Sequence, residues 1–198
     1  MPNWVTNNIV VIGNEDCMKK FLSSITEEKE SLQEMVDDLS KKELKLSSFK
    51  PIPEDFHIEI DTTNHPDKYP EIATYQKEHY GVVGWYEFNL MWFGCKWDVG
   101  VKVEMLVKCD NKDLYELHIS TETPWSPPTN WLLTLRMENP KLTFIELAID
   151  ECFNFVSIID YTNDESIDCL EDKDPFEDEE IFDEIYERFN KYTKDAEL

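Results

Sequence analysis

Glycine is scarce, with five in 198 residues. Loops that cradle phosphate groups lean on glycine-rich turns, and the patterns G-x-x-x-x-G-K-[ST], G-x-G-x-x-G and G-x-S-x-G are all missing. Basic residues are scarce as well. Nineteen Lys and Arg face 43 Asp and Glu, for a formal net charge of -24. Direct binding of nucleic acid or of an anionic membrane needs basic surface, so neither is expected. No apolar run approaches the roughly 18 residues that cross a bilayer, and Met1-Pro2-Asn3-Trp4 is not a charged leader before an apolar stretch. An acidic, globular, cytoplasmic protein is the expectation. The cysteines (Cys17, Cys95, Cys109, Cys152 and Cys169) are odd in number and form no C-x-x-C pair, which predicts reduced, mostly buried thiols. His57, His65, His79 and His118 have no second histidine or cysteine at ligand spacing, so no metal is expected, and no cofactor either. Asp164, Asp168, Asp172 and Asp174 lack the glycine of a calcium loop, and Pro175 interrupts them.

What is present is enough apolar material for a core: 41% hydrophobic residues, 13% of all residues aromatic. Residues 4–12 are rich in β-branched side chains and end at Gly13, which reads as a strand. Asn14 is placed to cap a helix whose Met18, Phe21, Leu22 and Ile25 share one face. Ser31 and Glu34 have capping-box spacing ahead of the stripe Leu32, Met35, Val36, Leu39. Pro51 and Pro53 force an extended or turning path, and a weaker helix is expected within residues 67–79. Val99, Val101, Val103, Met105 and Val107 alternate with mostly polar residues, then Asp110 to Asp113 turn the chain. Tyr115, Leu117, Ile119 and Thr121 alternate on the return, completing a hairpin. Ser126 and Pro127 are placed to start a helix with Trp131, Leu132 and Leu135 inward, and strands follow over 142–149 and 153–161.

The order strand–helix–strand–strand–helix–strand predicts an α+β fold, a ferredoxin-like βαββαβ sandwich with one extra C-terminal strand. Residues 26–95 are a long, partly helical insertion after the first helix. The expected organisation is a ferredoxin-like domain over 1–162 and an acidic C-terminal segment over 163–198. Thirteen acidic residues and one base, Lys173, lie between Asp164 and Glu187, half of the whole charge imbalance. Asp174-Pro175-Phe176-Glu177 looks like a helix start, and Ile181, Phe182, Ile185 and Phe189 form an apolar stripe beyond it. That stripe needs a surface to cover it, on this domain or on another protein.

Four short motifs in order, Met1-Pro2-Asn3-Trp4 with Asn7, Pro51-Ile52-Pro53, Gly94-Cys95-Lys96-Trp97-Asp98 and Pro124-Trp125-Ser126-Pro127-Pro128, resemble the YubB ferredoxin-like family of phages, plasmids and other mobile elements. Where that family often has Cys-Ser after the first tryptophan, this chain has Val5-Thr6, and the glycines near the last strand are replaced around Glu151–Phe155. The resemblance covers residues 1–160, implies the fold and a mobile-element origin, and transfers no catalytic residue.

In the expected topology Asn3, Trp4, Lys96, Trp97, Asp98, Trp125 and Ser126 converge at one rim of the sheet. Three readings are open there. The tryptophans close the end of the core, with Lys96 paired to a carboxylate; or they wall a small-ligand pocket, with Lys96 as anion contact; or the rim is catalytic. The acidic run is a solvated face, or a row of carboxylates that imitates phosphates to a basic groove. The leading expectation is a non-enzymatic, DNA-mimic protein of a phage or related element. It would inhibit a host nuclease or defence complex, a basic host protein, through Asp172, Asp174, Glu177, Asp178, Glu179, Glu180, Asp183, Glu184 and Glu187. The alternative is a small-ligand or nucleotide binder that uses the tryptophan rim.

Overall fold

The structure, a computed structural model, describes residues 2–56, 59–109, 113–163, 165–169 and 181–196. It is a mixed α+β fold. Its strands are β1 (Trp4–Gly13), β2 (Leu44–Lys45), β3 (Gly100–Lys108), β4 (Tyr115–Pro124), β5 (Thr143–Asp150), β6 (Val156–Asp160) and β7 (Glu165–Asp168). They form one antiparallel sheet in the order β2-β3-β4-β1-β5-β6-β7. The helices are α1 (Glu15–Leu22), α2 (Leu32–Leu39), the single turn α3 (Leu46–Phe49), α4 (Pro70–Tyr80), α5 (Gly84–Phe93), α6 (Thr129–Glu138) and α7 (Ile181–Ala196).

The local signals act as their chemistry dictates. Asn14 Oδ1 accepts from the Cys17 N–H at 2.9 Å and caps α1. Ser31 and Glu34 close a full capping box on α2. One face of the sheet packs Ile9, Val11, Leu117, Ile119 and Phe144 against Met18, Phe21, Met35, Leu39, Trp131 and Leu135 of the helices. Trp131 is fully enclosed and its indole N–H donates to the Leu46 carbonyl at 3.1 Å, so the polar edge of this large ring has a partner.

The opposite face has its own core. Val10, Ile12, Ile145, Leu147, Val156 and Ile158 meet Ile181, Ile185 and Phe189 of α7. The apolar stripe of α7 is thus covered by this chain's own sheet, and β7 extends that sheet beyond residue 163. The helix start expected at Asp174 lies outside the described residues, as do His57 and the turn residues Asp110 to Lys112.

Three expectations are corrected by the packing. The β3 alternation does not run unbroken: a bulge between Val103 and Met105 reverses the faces, so Met105 and Val107 are exposed while Leu106 turns to the core. Leu106, apolar at what a strict alternation makes a polar position, is the residue that marks the bulge. Ser126 does not cap α6; its hydroxyl donates to the Gly94 carbonyl at 2.9 Å, and the helix begins at Thr129 behind Pro128. The sheet has more strands than expected, since β2 adds to one edge and β7 to the other. Within the partly helical insertion, residues 84–93 form α5.

The 26–95 connection has a polar hub. Gln76 Oε1 accepts from the Thr62 hydroxyl at 2.8 Å and from the Gly84 N–H at 2.9 Å, while its Nε2 donates to the Asp55 carbonyl. Gly84 has φ +80, and a Cβ there would lie 2.6 Å from the Thr63 backbone nitrogen.

Truncating the α7 anchor tests its docking. Phe189→Ala should lower the free energy of unfolding by about 3 kcal/mol in chemical denaturation. A loss below about 0.5 kcal/mol, the size of an exposed-site change, would mean the helix does not pack as described.

Candidate functional site

The register Trp4↔Pro124 and Val5↔Asp150 brings the start of β1 beside the ends of β4 and β5. At that edge the three indoles converge. Trp97 stands 6.0 Å from Trp4 and 5.8 Å from Trp125, ring centre to ring centre, both pairs tilted. Trp125 is 49% exposed and has φ 65, a left-handed conformation that a bulky side chain rarely adopts. Its backbone N–H donates to the Asn3 carbonyl at 2.8 Å, so Asn3 serves the rim with its backbone.

Lys96 has no ion pair among the described residues. Its ammonium lies 5.1 Å from the centre of Trp97, 5.3 Å from Trp125 and 5.6 Å from Tyr86, a cation–π arrangement and not the carboxylate pair of the closed-core reading. Asp98 turns toward β2 and α3: its oxygens accept from the Ser47 N–H at 2.9 Å and from the Ser47 hydroxyl at 2.6 Å. Gly94, at φ +85, lets the end of α5 approach the start of α6. A Cβ there would sit 3.0 Å from the Thr129 and Asn130 nitrogens. This close approach puts Ser126 against the 94–97 loop.

Behind the rim lies a buried polar cluster that sequence reasoning missed. Asn7 is fully enclosed between β4 and β5, and its amide nitrogen donates to the Val5 carbonyl, the Thr121 carbonyl and the Thr123 hydroxyl. Glu146, also with no exposed surface, accepts from the Tyr161 hydroxyl at 2.5 Å. Burial pushes the Glu146 carboxyl up to about 7, against the smaller lowering effect of the Tyr161 hydrogen bond. Burial, reinforced by the Glu146 charge, also raises the Tyr161 phenol. Cys95, whose thiol donates to the Trp97 carbonyl, is pushed up to about 12, mainly by burial and further by the Asp98 and Glu146 charges. A thiol held protonated that firmly is not a nucleophile at neutral pH.

Two acceptors in this cluster, Asn7 Oδ1 and Glu146 Oε1, have no partner among the described residues. Ile9 stands opposite Glu146 and Asn7 opposite Ala148, so Asn7 and Glu146 are diagonal neighbours on one face. The sequence did carry the signal, since Asn7 sits at an inward position between Val5 and Ile9, and Glu146 between Ile145 and Leu147.

The acidic set is placed in part. Asp183, Glu184 and Glu187 are exposed on α7, Asp183 and Glu187 opposite its buried stripe and Glu184 on its flank. Asp172, Asp174, Glu177, Asp178, Glu179 and Glu180 lie outside the described residues. The face of β1, β3 and β4 that α7 leaves uncovered forms a shallow groove lined by Trp4, Thr6, Asn8, Lys102, Ser120 and Glu122. Among the described residues no group of three or more His, Cys, Asp or Glu is placed to hold a metal. No described helix is long and apolar enough to cross a membrane.

No family model matches the chain, and no curated protein matches it. A solved structure similar to it is that of protein api92 from Yersinia pseudotuberculosis, family model DUF1281. The two are 9% identical with a TM-score of 0.41, over 85% of this chain and 98% of that one.

Glu146 gives a pH test. Its carboxyl rises from 4.5 to about 7 on folding, so between those values the folded state keeps a proton that the unfolded state gives up. The stability it contributes is complete below pH 4.5 and is lost as pH rises toward 7, by on the order of 3 kcal/mol. Glu146→Gln, which cannot ionise, should remove that slope. The check is the wild-type minus variant difference in unfolding free energy at about pH 4.5 and about pH 8, and a constant difference would contradict the assignment.

Proposed function

We propose that this is a non-enzymatic interaction protein that docks through an acidic surface on a basic partner. The observation that carries the reading is the placement of α7. Ile181, Ile185 and Phe189 are buried against the protein's own sheet, so the helix holds Asp183, Glu184 and Glu187 outward on a packed support. A net charge of -24 surrounds them. Carboxylates fixed on a packed helix attract a basic groove without the ordering cost that a loose tail would incur.

The most concrete version is a DNA-mimic inhibitor of a nuclease or defence complex, working in the cytoplasm of a bacterial host. The order β3-β4-β1-β5, with helices α1 and α6 on one face, supports reading residues 1–162 as a ferredoxin-like domain. Together with the four motifs, it supports an origin in the YubB ferredoxin-like family of mobile elements. Asp172, Asp174, Glu177, Asp178, Glu179 and Glu180 join Asp183, Glu184 and Glu187 as the contact set in this reading.

The test is competition. A host protein captured on the immobilised chain at low salt should be released by double-stranded DNA and by salt. Replacing Glu177, Asp178, Asp183 and Glu187 together by lysine should weaken its capture at least about tenfold. Capture that persists unchanged with the reversed charges, or that DNA does not compete, rejects the mimic.

A further inference from the structure

A cavity of about 560 Å³ lies between the start of α3, the 51–56 segment, α5 and residues 97–98. That is within the roughly 300–1,000 Å³ of small-ligand sites. Ile52, Phe56, Trp85 and Trp97 line it, with Lys45, Glu59 and Asp98 as its charged groups. Trp97 is shared with the rim, where it contacts Trp4 and Trp125; Trp85 contacts Tyr86 instead. The two indoles are therefore not in ring contact with each other, although both line the same space. Neither indole N–H has a hydrogen-bond partner among the described residues.

The charges point the same way. Lys45 is exposed and has no ion pair among the described residues, in a chain with more than twice as many acids as bases. Asp98, the acid on the same wall, is already committed to Ser47. The Lys45 ammonium is left for an anion from outside. Glu59 offers an acceptor to a ring amine. Long-range repulsion from the acidic surface is screened at physiological salt, whereas a direct ammonium contact is short and survives it.

We propose that this cavity binds a planar heteroaromatic ring carrying an anionic group, of the nucleoside monophosphate kind. The ring takes the space between Trp85 and Trp97, where stacking is tolerant of base identity. The phosphate meets Lys45. No residue of α7 takes part, so the site stands or falls independently of the acidic docking surface. It also differs from the rim, because Trp4, Lys96 and Trp125 do not line it.

The experiment is calorimetric titration of the full chain with AMP, GMP, CMP and UMP, and with adenosine. Saturable binding of at least one monophosphate is expected. Lys45→Glu should weaken it at least about tenfold and leave adenosine binding unchanged. Trp85→Ala, checked for folding by its thermal melt, should remove both, and Trp125→Ala should remove neither. Four results would overturn the proposal: no saturation with any monophosphate at millimolar concentration, unchanged affinity in Lys45→Glu, unchanged binding in a folded Trp85→Ala, or loss of binding in Trp125→Ala. The last would move the site to the rim.

Discussion

The constraint on which the structure rests is the two-sided burial of β1. This strand lies between β4 and β5, and its residues alternate between two separate cores. Ile9 and Val11 face the helical layer; Val10 and Ile12 face α7. Upstream, Trp4, Thr6 and Asn8 occupy the positions equivalent to Val10 and Ile12, and there the sheet is open. The change from polar to apolar on that one face of β1 sets where α7 docks. A run of four branched apolar residues, Ile9 to Ile12, is what a strand covered on both faces requires.

The same central position explains why the polar residues of the core are held so tightly. Asn7 and Glu146 sit on the helical face beside Ile9 with no water contact, where an unpartnered polar atom is costly. Tyr161, Thr123 and the Thr121 carbonyl satisfy most of their capacity. A neutral Glu146 avoids burying an isolated charge, which would destabilise the fold far more than one unmet hydrogen bond. Cys95, Asp98 and Trp97 connect this cluster to the rim, so the polar interior and the tryptophans belong to one end of the sheet.

Much of the α+β pattern was legible in the sequence, and the failures have physical causes. Asn14, the Ser31–Glu34 box and the helical stripes of α1, α2 and α6 follow local rules that tertiary context did not overrule. The convergence of Trp4, Trp97 and Trp125 followed from strand directions. The bulge in β3 was written in Leu106, but a period-two reading counts an out-of-phase leucine as noise. Helix α5 was illegible because its residues are apolar almost all round, which removes the periodicity. Strand β7 was hidden in acidic residues of low strand propensity; it forms because β6 offers an edge to pair with. Lys96, read from the sequence as either a carboxylate's partner or an anion contact, lies instead near three aromatic rings.

The charge imbalance and the stability of the fold are nearly separate matters, and that separation gives the acidic surface its freedom. The Lys–carboxylate pairs among the described residues, such as Lys19–Glu15 and Lys42–Asp38, are at the surface, where a pair contributes about 0–1 kcal/mol. The stability comes instead from two apolar cores, the helical one enclosing Glu146. On α7 the acids Asp183, Glu184 and Glu187 precede Arg188, Lys191 and Lys194, an order that complements the helix dipole. The acidic first half is therefore compatible with the helix that presents it. The buried contacts of α7 are those of Ile181, Ile185 and Phe189, so its packing rests on apolar burial while Asp183 and Glu187 stay at the surface.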